Sequence, residues 1–256
     1  LNRAGMGGSD LSDLKQEFSG SKCLILLSKI VKFLKKNNIS TIGIYSKNTI
    51  YWPLWYLAAD GCCKDLFVIN SLFNDRLVTN IQKKYKIQYI VNNADYIKFN
   101  KENNNQNKFI KQFLNQRFIQ KGKNNNIIFT SGSTGYPKGA IIPESSYLHV
   151  AKVLIKKMSQ KKNDLELLSM PLDHSFGLAR LRCALLSGCS VLITDGIKNF
   201  PSIYKFSHNN VITGLSLLPS AIEIIRSLLK KKVNNFSNRI KYFEIGSTTI
   251  NEASRY

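Results

Sequence analysis

Residues 127–143 read Ile-Ile-Phe-Thr-Ser-Gly-Ser-Thr-Gly-Tyr-Pro-Lys-Gly-Ala-Ile-Ile-Pro, and no other stretch restricts the fold as much. The apolar runs 127–129 and 140–142 have the length and β-branching of strands, so the segment predicts strand, loop, strand. The connection holds Gly132, Gly135 and Gly139, the hydroxyls of Thr130, Ser131, Ser133 and Thr134, and Lys138, with no acidic residue. Such a loop suits phosphate. Glycines let backbone N–H groups turn inward, hydroxyls add donors, and lysine brings a mobile positive charge. A Walker-type loop needs Gly-Lys-Ser/Thr at the start of a helix. Here the order is Lys138-Gly139, after Pro137 and before a β-branched run, which excludes it.

The rest of the chain alternates in the same style. Leucines and isoleucines at helical spacing predict a helix over 22–37 that ends in lysines and asparagines, a favourable C-terminus. Short apolar runs predict strands at 41–45, 66–70 and 88–91, separated by helices at 51–59 and 74–85. Strand–helix alternation implies parallel pairing. Residues 1–20 are Gly/Ser/Asp-rich and read as a frayed terminus. Residues 92–126 are too polar to bury much and read as a surface connection, with one inner element at 109–119. Beyond the loop, helices are predicted at 145–158, 180–186 and 222–230, with strands at 165–170, 190–193, 215–218 and 242–245. The expected organisation is a first α/β lobe over 1–96, a connection over 97–126, and a second α/β lobe over 127–256 that opens on the loop.

The run 130–139 resembles the ATP-phosphate loop of the adenylate-forming superfamily, which includes acyl-CoA synthetases, peptide-synthetase adenylation domains and luciferases. A second stretch, Pro171-Leu172-Asp173-His174-Ser175-Phe176-Gly177-Leu178, is similar to that family's second signature, which lines the carboxylate pocket. A third, Tyr242 to Thr248, resembles its strand and small-residue turn against adenine and acyl group. The resemblance implies two stacked α/β subdomains with mostly parallel sheets. It also implies a reaction in which a carboxylic acid and ATP give an acyl-adenylate, and a thiol of CoA or a phosphopantetheine carrier then displaces AMP. In that scheme Ser131, Gly132, Ser133, Thr134, Gly135 and Gly139 hold the triphosphate, and Lys138 neutralises the leaving group. Thr130 offers oxygen to Mg2+. His174 orients the acyl group, while Phe176, Gly177, Ser216, Gly246, Ser247 and Thr248 line the adenine and acyl pocket; Asp173 reads as a turn residue. The family's metal-binding Glu motif, ribose-binding Asp, hinge and lysine-bearing C-terminal domain have no match before Tyr256. The chain is therefore expected to be an N-terminal portion with little turnover alone. An adenylation unit loading a carrier protein, or a non-catalytic nucleotide-binding fragment, are the alternatives.

Composition narrows the class. The net charge of +21 raises the possibility of nucleic-acid binding. The excess is mainly lysine, spread along the chain with asparagine and isoleucine and not interleaved with aromatics as in a stacking platform. A general field favouring anionic ligands is the better reading. Five cysteines make no CxxC pair and no His cluster accompanies them, so free thiols, a reducing compartment and a cytoplasmic location are expected. No apolar run reaches the roughly 18–20 residues a spanning helix needs.

Overall fold

The computed structural model describes residues 3–7, 17–92, 95, 125–130, 136–197, 200–229 and 236–246. These form a mixed α/β protein with two mostly parallel sheets, divided into two units. The expected inner element at 109–119 lies outside the described residues.

One unit comprises Gly20–Val150 with Leu172–Ser175. Its sheet contains β3 (Thr41–Ile44), β4 (Asp65–Val68), β5 (Tyr89–Val91), β6 (Asn125–Thr130) and β7 (Lys138–Ile142). The order is β5-β3-β4-β6-β7, with β6 and β7 antiparallel and the other pairs parallel. Three helices join them: α1 (Gly20–Lys36), α2 (Trp52–Cys62) and α3 (Asp75–Tyr85). Their sequences explain their ends. Pro53 sits in the first turn of α2, where its missing N–H costs nothing. Asn74 caps α3 by accepting the Leu77 N–H, and Lys86 closes it in the left-handed conformation. β3 and β4 are buried over three of four residues, as central parallel strands require. Phe67, Ile81, Ile127 and Phe129 make one core cluster beneath α3. Phe33 of α1 meets Trp55 of α2 edge-on at 6.1 Å.

The other unit comprises Leu1–Ser19, Ala151–Pro171 and Phe176–Tyr256. Its strands are β1 (Arg3–Gly7), β2 (Glu17–Ser19), β8 (Leu165–Leu168), β9 (Ser190–Thr194), β10 (Gly214–Leu217) and β11 (Tyr242–Ile245). They run in the order β11-β10-β8-β9-β1-β2, and only the β1–β2 pair is antiparallel. Helices α4 (Glu144–Met158, begun in the first-described unit), α5 (Ser175–Ser187), α6 (Phe200–Asn209) and α7 (Pro219–Leu229) complete the set. Leu167, Leu192, Phe200, Ile203, Leu215 and Phe236 are the heart of its core.

Three features depart from the sequence reading. The stretch 1–20 is not simply frayed, because Arg3–Gly7 adds to the sheet beside β9 and pairs with β2. Its glycines hide the strand, and hydrogen bonds to β9 supply what propensity does not. The hairpin β6–β7, expected to open the second lobe, instead hydrogen-bonds to β4 and so belongs to the sheet of the preceding segments. Helix α6 was not expected; Pro201 obscures it, although Pro fits a helix's first turn.

In the second unit a buried polar cluster crosses the core. Arg180 of α5 has no solvent exposure and donates to both oxygens of Glu166 on β8, which also accepts from Tyr242 and Gln160. Burial works against the Arg180 charge, but Glu166 outweighs it and holds the guanidinium above its ordinary pKa. A second carboxylate, Glu244, reaches the same Nε at 3.4 Å. Gly214 makes the cluster possible, since a Cβ there would lie 2.2 Å from the Tyr242 hydroxyl.

Candidate active site

The loop is held at both ends by its own hairpin. Thr130, the last residue of β6, stands opposite Lys138, the first of β7, and its hydroxyl donates to the Lys138 carbonyl at 3.3 Å. Both side chains are exposed, so the hydroxyl's lone pairs and the ammonium remain available to a ligand. Residues 131–135, which carry Ser131, Gly132, Ser133, Thr134 and Gly135, lie outside the described residues. Gly139 has a packing reason to be glycine. A Cβ there would come within 2.8 Å of the Ile127 side chain, and its N–H donates to the Tyr85 hydroxyl at 3.3 Å.

The second signature is a turn fastened to the same unit by three hydrogen bonds. Asn48 Oδ1 accepts the Leu172 N–H at 2.8 Å, Asp173 Oδ2 accepts the Ser71 N–H at 2.6 Å, and Asn70 Nδ2 lies 3.1 Å from His174 Nε2. Asp173 is thus more than a turn residue: it is 5% exposed and anchors the chain after β4. His174 projects from this anchor with its side chain 52% exposed. Helix α5 begins one residue later, five residues before the predicted start at 180. Gly177, a poor helix former, masks this first turn in the sequence. It is also indispensable to the turn, because a Cβ would sit 2.1 Å from the Pro171 carbonyl oxygen.

In the other unit, Phe176 and Gly246 come together. A Cβ on Gly246 would lie 3.1 Å from the Phe176 ring, so the glycine lets that ring lie against the end of β11. The Gly246 N–H donates to Leu217 O at 3.3 Å. Ser216 is buried and its hydroxyl donates to Glu244 Oε2 at 3.3 Å. Glu244 escaped the sequence reading because an acidic residue inside a four-residue strand carries no motif. Burial raises its pKa above the ordinary value, against the lowering effect of Arg180. Ser247 and Thr248 lie outside the described residues.

Among the described residues no group of three or more His, Cys, Asp or Glu side chains could hold a metal, and no helix is long and apolar enough to cross a membrane. Among the described residues no disulfide joins any of the five cysteines.

A family model described as AMP-binding enzyme matches residues 30–254. The chain belongs to this family of adenylate-forming enzymes. As a member of this family it shares its fold with solved structures at low sequence identity. The N-terminal domain of FACL13 from Mycobacterium tuberculosis superposes with a TM-score of 0.73 at 16% identity, covering 95% of this chain and 66% of that one. The o-succinylbenzoate CoA synthetase MenE from Bacillus subtilis, solved with its acyl-adenylate intermediate, gives 0.68 at 14% identity, covering 92% and 63%. Among curated proteins, bacitracin synthase 3 from Bacillus licheniformis is 31% identical over 100 residues, which are 38% of this chain and 2% of that protein. The chain spans about two thirds of the length of the structures it matches and a small part of the synthase.

Proposed function

We propose that the protein is an acid–thiol ligase that forms an acyl-adenylate. A carboxylate oxygen attacks the α-phosphorus of ATP, and the bond to the β-phosphate breaks with its electron pair leaving on pyrophosphate. A thiol sulfur then attacks the acyl carbon, AMP departs, and the thiol proton passes to solvent. The observation that carries this reading is the pairing of Thr130 with Lys138, both exposed, across the base of the Gly/Ser/Thr loop. Lys138 is the residue for the charge that develops on the leaving pyrophosphate, and the loop's donors are suited to the phosphate oxygens. His174, exposed on an anchored turn, is suited to orient the acid; the resemblance assigns Phe176, Gly177, Ser216 and Gly246 to the adenine and acyl pocket. Mg2+ is a hard cation that would offset phosphate charge, and the Thr130 hydroxyl is an oxygen ligand of the kind it takes. The acceptor thiol proposed is that of CoA, as the name of the similar o-succinylbenzoate CoA synthetase suggests.

Acid-dependent exchange of labelled pyrophosphate into ATP tests the first half. Exchange by a version that also carries the family's lysine-bearing C-terminal domain is expected with at least one member of a broad acid panel, together with its loss in Lys138→Ala at an unchanged melting temperature. No exchange by that version with any acid would overturn the reading. Offering CoA and a phosphopantetheine carrier side by side would then distinguish the acceptors.

A further inference from the structure

Asn70 follows β4 and closes a tight turn in which its Oδ1 accepts the Leu72 N–H at 2.8 Å. A backbone N–H can only donate, so the amide oxygen must be the atom that faces Leu72. The amide nitrogen is consequently the atom 3.1 Å from His174 Nε2. An amide NH2 has no lone pair to give, so Nε2 has to accept and cannot carry a proton. We propose that Asn70 is a positioning residue that holds His174 as the neutral Nδ1–H tautomer. The proposal rests on the reading of His174 as the residue that orients the acid.

The chemical consequence is specific. With its Nε2 lone pair occupied, His174 is not a base through that nitrogen. It offers one donor, Nδ1–H, which suits an oxygen of the acid or its acyl-phosphate bond. One group opposes this state. Asp173 Oδ1 is buried with no hydrogen-bond partner among the described residues and lies 3.9 Å from Nε2. A proton on Nε2 would give that oxygen a donor but would confront the Asn70 NH2 with a second N–H. The Asp173 carboxylate cannot swing closer without losing the Ser71 N–H, held at 2.6 Å by its other oxygen. The pair Asn70 and Asp173 therefore pull the imidazole toward different protonation patterns, and the shorter contact belongs to Asn70.

Long-range proton–nitrogen correlation on the 15N-histidine-labelled protein reads the tautomer directly, with His174→Gln to assign the signals among the three histidines. At pH 8, His174 Nδ1 is expected at the position of a protonated nitrogen and Nε2 at that of an unprotonated one. Asn70→Asp keeps an oxygen for the Leu72 N–H, so the turn survives, but it presents an acceptor to Nε2. In that variant the proton is expected to move to Nε2. A wild-type spectrum with Nε2 protonated, or an Asn70→Asp spectrum identical to wild type, would overturn the proposal. Neither readout involves turnover, so absence of ATP–pyrophosphate exchange would leave the tautomer result standing, and the converse holds too.

Discussion

Arg180 and Glu166 face each other with both side chains fully out of solvent, joined through Nε–Oε1 at 2.8 Å and Nη2–Oε2 at 2.6 Å. Two parallel charge-assisted bonds make this the strong geometry for such a pair. Removing one partner strands the other charge in the core, which costs about 3–5 kcal/mol, whereas replacing both with apolar residues is often nearly neutral. Arg180→Met is therefore expected to lower stability by about that amount in urea unfolding. The double variant Glu166→Met, Arg180→Met should recover most of the loss. Equal losses in the single and double variants would contradict this account.

Glu244 gives the same cluster a pH dependence. Burial is the main cause of its raised pKa, so the folded state holds the proton more tightly than the unfolded chain does. Stability from this group is thus highest below the ordinary carboxylate value of 4.5 and falls as pH rises from there through the folded value. Glu244→Gln keeps an oxygen for the Ser216 hydroxyl and cannot ionise. Thermal melts should show it more stable than wild type at pH 7, with the difference shrinking toward pH 4.

Gly177→Ala tests the turn that carries His174. Its Cβ meets backbone, 2.1 Å from Pro171 O and 2.7 Å from the Pro171 carbonyl carbon, so no side-chain adjustment relieves the clash. Overpacking of this kind typically costs about 1–3 kcal/mol. A melting temperature unchanged from wild type would mean that the start of α5 can shift freely. Any exchange activity should fall with stability here, because the turn bearing His174 has to move.

Neighbouring cysteines should differ sharply in reactivity. Burial pushes the Cys63 thiol up to about 12, and it is 2% exposed with its Sγ 3.5 Å from Ile39 O. Cys62 is half-buried, and its pKa is raised by burial against the lowering effect of Lys35. The thiolate is the reactive form, so iodoacetamide at pH 8 should alkylate Cys62 well before Cys63. Tandem mass spectrometry of the shared peptide would read the order. Both should react alike in urea.

The alternation of strands and helices was legible because most elements carry their own signal. β3 and β9 are short β-branched runs, β4 is a short apolar one, and α3 has both a capping asparagine and a striped face. Strand β1 was not, since Arg-Ala-Gly-Met-Gly has no strand preference and acquires its conformation from pairing. The same division runs through the site. Thr130, Lys138 and His174 lie in contiguous motifs and could be named from the chain alone. Asn70 could not, because it meets His174 across 104 residues, and the Arg180–Glu166–Tyr242 cluster draws on three separate elements. Local motifs mark the proposed reacting groups; the residues that contact them are assembled by the fold.

The pairing of β1 with β9 also bears on how the protein is made. During synthesis the strands from Thr41 to Ile142 have all emerged while Arg3–Gly7 still lacks its parallel neighbour Ser190–Thr194. Among the described residues its earlier partner is the short strand Glu17–Ser19, and a two-stranded ribbon is marginal in water. At about 5–20 residues per second, the nascent chain exposes that unpaired edge for about 10–40 seconds. Such an edge invites pairing with other chains. Chaperone dependence in translation and aggregation on rapid refolding would both originate at this seam.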